Sequence, residues 1–319
     1  MAADPHVVWF ADVGRSDIEI AGGKGASLGE LERAGIPVPP GYIITTRAYR
    51  DYVEEAGVGE ALHRLFHSVD AHDRAALEMV SIEARRMITE GPEPSCAGVA
   101  VAAYQALGEG PVAVRSSATA EDTEEASFAG QQSTYLNVEG AESLVAAIRG
   151  CWASLFEPRA IYYRAQCGID SISVAIAVPV QRMVQSERSG VAFSVDPVTH
   201  AHDTIVVEAV RGLGEALVGG HVTPDMYVVD KETLTVRERT HVPQQQELVR
   251  SGRGGLEANE WRDVPAVKRR RPKLDDGEIA RLADIVRTVE RHYGAPQDVD
   301  LCRLDREKKP DVVVDAFRK

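Results

Sequence analysis

The feature that most narrows the fold is a single change of periodicity near residue 111. Before it, apolar residues recur at helical spacing through residues 58–108, broken by "GPEPS" at 91–95. After it come short apolar runs separated by turn residues: "PVAVRSS" from 111, "SVAIAVPVQRMV" (173–184), "SGVAFSVDPVT" (189–199), "DTIVVEAV" (203–210) and "PDMYVVDK" (224–231). A helical first third followed by a β-rich body lacks the strand–helix alternation of a doubly wound parallel sheet. It predicts an α/β chain of the α+β kind with two lobes and a cleft, and 319 residues are enough to fill both.

Local signals refine this outline. "HVVWFADV" (6–13) reads as a strand, and "GGKGASLGELERAG" (22–35) as a glycine turn opening a helix with Leu28, Leu31 and Ala34 on one face. "IPVPPGYIITT" (36–46) is a proline-punctuated turn into a short strand, and "TRAYRDYVEEAG" starts another helix. Residues 141–168 are helical, with Pro158 as a helix start or kink. "DDGEIARLADIVRTVERHYGAP" (275–296) has an acidic start, an i, i+3, i+4 apolar stripe, a basic last turn and a glycine stop. Residues 245–277, containing "RSGRGG" and "KRRRPK", read as exposed connecting chain.

Charge removes several functions. With 36 basic against 49 acidic residues, the net charge of −13 argues against general binding to nucleic acid or to anionic membranes, which both need a positive field. An anionic small substrate needs only a local basic pocket and stays open. No apolar run approaches the ~18 residues of a spanning helix, and the N-terminus "MAADPHVVWF" lacks the features of a signal peptide. Four scattered cysteines (Cys96, Cys151, Cys167, Cys302) form no CxxC pair, so reduced thiols in a cytoplasmic protein are expected rather than zinc or disulfides.

Chemistry concentrates in a few stretches. In "VAVRSSATAEDTEEASFAGQQSTY" (112–135) an apolar strand ends in Arg115 and opens into hydroxyls and small residues, with Gly130 before Gln131, Gln132, Ser133 and Thr134. Exposed backbone N–H groups, hydroxyls and one fixed cation suit polyphosphate oxygens; the alternative is a long loop satisfying its own turns. "GGKG" at 22–25 offers a helix start and Lys24 to an anion, although the GxxxxGK[ST] spacing is absent and a solvated lysine fits as well. In "VPVQRMV" (178–184), Gln181, Met183 and Val184 can form a hinge against a purine edge, or an ordinary strand. Glu208 precedes a glycine turn, where it can take ribose hydroxyls or cap a helix; Asp196, Asp300 and Asp315 are candidate oxygen ligands for magnesium.

Taken together, "GGKGASLGEL…GIPVPPGYIITTRAY", "VAVRSSATAED…ASFAGQQSTYLNV", "VPVQRMV…SGVAFSVDPVT" and "VVEAVRGLGEALVGGHVTPD" resemble the N-terminal ATP-binding domain of the phosphoenolpyruvate synthase, pyruvate phosphate dikinase and rifampin phosphotransferase family. The resemblance runs from about residue 9 to about residue 300. It implies an ATP-grasp-like domain, with lobes at 1–185 (helical 1–110, mixed β 111–185) and 186–319 and ATP in the cleft between them. By resemblance, Lys24 and Arg115 hold the phosphates, Gly130 to Thr134 cover them, Gln181, Met183 and Val184 meet the adenine, and Glu208 lies near the ribose. The implied reaction passes the β-phosphoryl of ATP, with Mg²⁺, to a histidine on a swivelling domain in cis or in trans, for delivery to pyruvate or another hydroxyl acceptor. The chain is then part of a longer enzyme or a separate ATP-binding subunit, as in a split kinase or an antibiotic phosphotransferase, or a degenerate nucleotide binder without turnover.

Two departures bear on this. The family's closing glutamate, glutamine and arginine fall here on Asp300, near Asp315, and near Phe317 with Arg318 one place on, so metal and phosphate handling differ from the pattern. No histidine has the Gly-rich, Thr-flanked setting of the family's phosphohistidine, and His200 and His202 read as solvated turn residues.

Overall fold

The computed structural model describes residues 5–67, 73–119, 133–169, 174–253, 256, 258–303 and 312–318. The chain divides into two compact units: Met1–Glu30, Pro40–Met183 and Gly254–Glu257 in one, Leu31–Pro39, Val184–Arg253 and Ala258–Lys319 in the other.

The first unit is built on a six-stranded sheet whose strand pairs are all antiparallel. In chain order its elements are β1 (Val7–Trp9), α1 (Ile18–Arg33, whose last turn passes into the second unit), β2 (Gly41–Ile44), α2 (Thr46–Glu55), α3 (Val58–His67), α4 (Arg74–Thr89), α5 (Ala97–Ala106), β3 (Val112–Arg115), β4 (Ser117–Ala118), β5 (Thr134–Val138), α6 (Ala141–Ala153), α7 (Pro158–Gln166) and β6 (Ile176–Arg182). The sheet order is β1-β2-β6-β3-β5, with β4 also on β6. Strand periodicity sorts the two faces. Tyr42, Ile44, Val112, Val114, Val178 and Val180 enter a core with Tyr52, Leu77, Ile88, Leu144, Trp152 and Phe156 from the helices. The other face receives α1 at short range: a Cβ on Gly25 would come within 2.9 Å of Ile43 Cδ1, and one on Gly29 within 2.6 Å of the Phe10 carbonyl.

Pro158 occupies the first turn of α7, where its missing N–H costs nothing, so the proline starts a helix rather than kinking one. One expectation is corrected: the strand at 6–13 stops after Trp9, because Phe10–Asp12 turn as a 3₁₀ helix. The glycine turn at 22 does open a helix: Gly22, at φ 65° and ψ 169°, is non-helical and separates the long part of α1 from a short helical turn that begins at Ile18, which the sequence reading did not include.

The second unit holds β7 (Arg188–Phe193), β8 (Thr204–Arg211), α8 (Glu215–Val218), β9 (Asp225–Asp230), β10 (Val236–Thr240), β11 (Gln246–Arg250), β12 (Asn259–Asp263), α9 (Ala266–Arg269), α10 (Asp276–Tyr293), β13 (Asp298–Arg303) and β14 (Val312–Arg318). Its main sheet runs β10-β9-β8-β7-β13-β14, again antiparallel throughout. Ala192, Ile205, Val207, Tyr227, Val229 and Val299 pack against Ile279, Leu282, Ala283, Val286 and Val289 of α10. That helix is bounded as its sequence requires: Asp275 and Glu278 form a reciprocal capping box, and Gly294 closes it in the left-handed region.

Residues 245–277 are not connecting chain. β11 and β12 pair over five register positions, α9 follows, and Val264, Lys273 and Leu274 are buried. The run of cations hid a lysine whose side chain is fully enclosed.

Candidate functional site

In the first unit, the kink at Gly22 sets the geometry around Lys24. A side chain at Gly22 would overlap the carbonyl and hydroxyl of Ser117, so glycine is required by closeness as well as by its positive φ. Freed from the helix ladder, the Lys24 backbone N–H donates to Ser117 Oγ at 3.0 Å, and Lys24 Nζ donates to the Ser116 carbonyl at 3.3 Å. The lysine is thereby held at both ends on the strand end that carries Arg115.

Arg115 is the last residue of β3, buried, and in register with Thr134 on β5. The next backbone N–H, that of Ser116, donates to the Ser133 carbonyl at 3.0 Å. Ser116 Oγ is buried and makes no hydrogen bond to any described residue. Burial pushes the thiol of Cys151 up, and the charge of Lys24 opposes the shift; the sulfur lies 3.9 Å from the Ser133 carbonyl. Lys24, Arg115, Ser133 and Thr134 therefore share one end of the sheet, while Gly130, Gln131 and Gln132 lie outside the described residues.

Gln181 sits on the central strand β6, fully buried, opposite Gly41 and Ala113. Its parity is opposite to Val178 and Val180, which places it on the α1 face of the sheet with Arg115. Met183, just past the strand, is half-buried and donates its N–H to the Pro111 carbonyl at 3.0 Å. Val184, the first residue of the second unit's main segment, is buried.

In the second unit the register brings two candidate acids into one row. Val191 on β7 is the cross-strand partner of Glu208 on β8 and also of Asp300 on β13. Cross-strand partners share a face, and Ala192, Val207 and Val299 point to α10, so Glu208 and Asp300 lie on the face away from that helix. Two strand spacings separate their backbones by about 10 Å. Met226, opposite Glu208 on β9, extends the row. Glu208 is half-buried, has no hydrogen-bond or ion-pair partner among the described residues, and burial raises its carboxyl above the usual range. Asp315 falls in the irregularity between β13 and β14, where Asp300 pairs with Ala316 and Leu301 with Val314; its side chain lies outside the described residues. Asp196 is used differently, accepting the N–H groups of Val198 at 2.8 Å and Thr199 at 3.0 Å in a turn.

The second unit also contains a polar knot that sequence reasoning missed. Asp225 and Lys273 are both buried and pair at 2.6 Å. Asp225 further accepts the N–H groups of Val242 at 2.8 Å and Lys273 at 3.0 Å, and the Tyr227 hydroxyl at 3.0 Å. Nothing in "KRRRPK" separates its last lysine from the solvated ones.

This arrangement can be set beside known proteins. The sequence matches the family described as pyruvate phosphate dikinase, AMP/ATP-binding domain, over residues 18–312. The chain belongs to that family. It is 42% identical over 301 residues to a probable phosphoenolpyruvate synthase of Methanocaldococcus jannaschii, covering 92% of this chain and 25% of the relative. A probable phosphoenolpyruvate synthase of Methanothermobacter thermautotrophicus is 43% identical over 307 residues, covering 94% of this chain and 44% of the relative. The phosphoenolpyruvate synthase of Pyrococcus furiosus is 37% identical over 336 residues, covering 92% and 41%. The chain thus spans between a quarter and just under half the length of these relatives. Among the described residues, no helix is long and apolar enough to cross a membrane.

Proposed function

We propose that this chain is the ATP-binding part of a phosphoenolpyruvate synthase-like phosphotransferase, a cytoplasmic protein of ATP-grasp-like fold with lobes at 1–185 and 186–319. It takes Mg·ATP and yields the β-phosphoryl group to a histidine on another domain or chain, which delivers it to pyruvate or another hydroxyl or enol acceptor. The observation that carries this reading is the double fastening of Lys24 to Ser116 and Ser117 beside Arg115. Phosphoryl transfer depends on positioning and charge neutralisation, and a lysine fixed at backbone and side chain is already positioned.

Within this reading Lys24 and Arg115 bind phosphate oxygens, with residues 130–134 covering them. Gln181, Met183 and Val184 receive the adenine, and Glu208 accepts from the ribose hydroxyls. Asp300 and Asp315 would hold Mg²⁺. The fit rests on the donor set, hard carboxylate oxygens on one strand pair, with Glu208, unpartnered among the described residues, in the same row as Asp300. When bound, the ion neutralises phosphate charge.

Titration calorimetry tests this directly. Lys24→Ala and Arg115→Ala are each expected to weaken ATP by roughly ten- to a hundredfold while adenosine binding stays unchanged, since a charge-assisted contact is worth about 1.5–3 kcal/mol. Equal losses for ATP and adenosine would show that the two residues only support the fold. A second reading, a nucleotide binder without turnover, is favoured by one observation: the β14 backbone sets Phe317 opposite Val299 and Arg318 opposite Asp298. Tight ATP binding with no labelling of any supplied phosphohistidine domain would select it.

A further inference from the structure

A separate hollow lies in the first unit beside the C-terminal end of α2. It encloses about 530 Å³, within the roughly 300–1,000 Å³ of small-molecule sites, and neither Lys24, Arg115 nor Gln181 lines it. Its apolar walls are Val53, Val174 and Ala175. The Ala175 wall is fixed from behind, because its carbonyl accepts the backbone N–H of Thr119 at 3.1 Å and the Thr119 hydroxyl at 3.2 Å.

The polar groups at the hollow are left over from the fold. Tyr49 is only 4% exposed, with its ring packed on Trp152 at 5.9 Å between centroids, yet its hydroxyl makes no hydrogen bond to any described residue. That hydroxyl is therefore free to donate to a ligand atom in the hollow. Arg50 and Glu54, both exposed, stand one helical turn apart with opposite charges, in the basic-before-acidic order that pairs less well on a helix. Here neither has an ion-pair or hydrogen-bond partner among the described residues, and both line the hollow. Glu60 adds a second carboxylate, bound only loosely to Arg64 at 3.9 Å between two exposed side chains.

We infer that this hollow binds a small zwitterion with an aliphatic body, of the class of a free branched-chain α-amino acid. Its carboxylate pairs with Arg50 and accepts from the Tyr49 hydroxyl, its ammonium meets Glu54 and Glu60, and its side chain lies on Val53, Val174 and Ala175. A simple anion leaves two carboxylates opposed to it, a simple amine leaves the guanidinium idle, and a nucleotide finds one cation for its phosphates among the described lining residues. The inference is independent of the nucleotide reading, since it shares no residue with it.

Calorimetry on the whole chain with L-leucine, 3-methylbutylamine and 4-methylpentanoate separates these cases. Leucine is expected to bind, and each single-charge analogue to bind at least about tenfold more weakly, as losing one charge-assisted contact requires. Arg50→Ala is expected to bring leucine down to the level of the amine, and Glu54→Gln with Glu60→Gln to the level of the acid. Tyr49→Phe is expected to weaken leucine several-fold without moving the urea midpoint, because the hydroxyl has no hydrogen bond to a described residue to lose. No heat from leucine at ~10 mM, an amine that binds as well as leucine, or undiminished binding to Arg50→Ala would overturn the assignment. ATP titration of Arg50→Ala is expected to match the parent chain; a changed isotherm would place Arg50 in the nucleotide machinery and remove the case for a second site.

Discussion

Glu208 shows how a single side chain can be costly to the fold and still be kept. Its carboxyl is half-buried and unpartnered among the described residues, and burial raises its pKa. A carboxyl whose folded pKa exceeds its unfolded value of about 4.3 favours folding when protonated. That contribution is complete below the unfolded pKa and disappears as the pH rises through the folded one. At neutral pH the ionised group is a net burden. Glu208→Gln is therefore expected to raise the urea midpoint at pH 7, by less than about 1 kcal/mol in stability, to leave it unchanged near pH 4, and to weaken ATP several-fold. A variant that loses stability at pH 7 would mean that Glu208 has a structural partner after all. Glycine and strand context make Lys24 and Arg115 candidates, with a solvated lysine and a loop satisfying its own turns left open beside them. The row formed by Glu208, Val191 and Asp300 has no such sign, because cross-strand register joins residues about a hundred positions apart and leaves no local trace.

At the scale of elements, what could be read in advance depended on whether the signal was local. α10 announces itself through its caps and apolar stripe, and α7 through Pro158. The hairpin of β11 and β12 does not, since "NEWRD" and its neighbours carry charges that read as solvated chain, and the pairing that makes them strands is absent from either segment taken singly. The segment before α10 is held by Lys273 on Asp225, at the start of β9. Burial acts to raise the Asp225 carboxyl, but hydrogen bonds from Lys273 and from the Val242 and Lys273 backbone outweigh it and hold the group below the usual carboxylate range. With its folded pKa depressed, the stabilisation is present above the unfolded value of about 3.9 and is lost as the pH falls through the folded one. Lys273→Met strands a buried carboxylate, so a loss of about 3–5 kcal/mol is expected at pH 7. The gap from the parent protein should narrow towards pH 3, because protonation relieves the stranded carboxyl of the variant while the parent's ion pair weakens as the pH falls. Urea curves at the two pH values read this out, and a gap independent of pH would indicate that lost packing, not the ion pair, is responsible.

For the molecule as a whole, antiparallel pairing within both main sheets agrees with the absence of strand–helix alternation in the sequence. The relatives are between more than twice and about four times the length of the matched region, and under the proposed function the histidine that receives the phosphoryl group belongs to such additional sequence. This chain, given ATP labelled at its β-phosphorus, is expected to bind nucleotide without phosphorylating pyruvate. Adding a separately expressed phosphohistidine domain should place label on that domain. Steady formation of a phosphorylated small molecule by the chain alone would contradict the proposal.

The burial of Lys273 bears on how the protein breaks. "KRRRPK" is the kind of site trypsin cuts, and Lys268, Arg270 and Arg271 are exposed. Yet the chain beyond it is moored: Arg211 donates to the Arg271 carbonyl at 3.1 Å, Arg188 to the Lys273 carbonyl and to Glu278, and β13 lies inside the main sheet between β7 and β14. On the near side, the Gln244 N–H donates to the Arg269 carbonyl at 3.0 Å. A nick there severs the covalent chain without releasing either piece. Limited digestion should give two bands under denaturing conditions but one species on size exclusion, with ATP binding retained, so that the polypeptide behaves as a non-covalent pair of fragments.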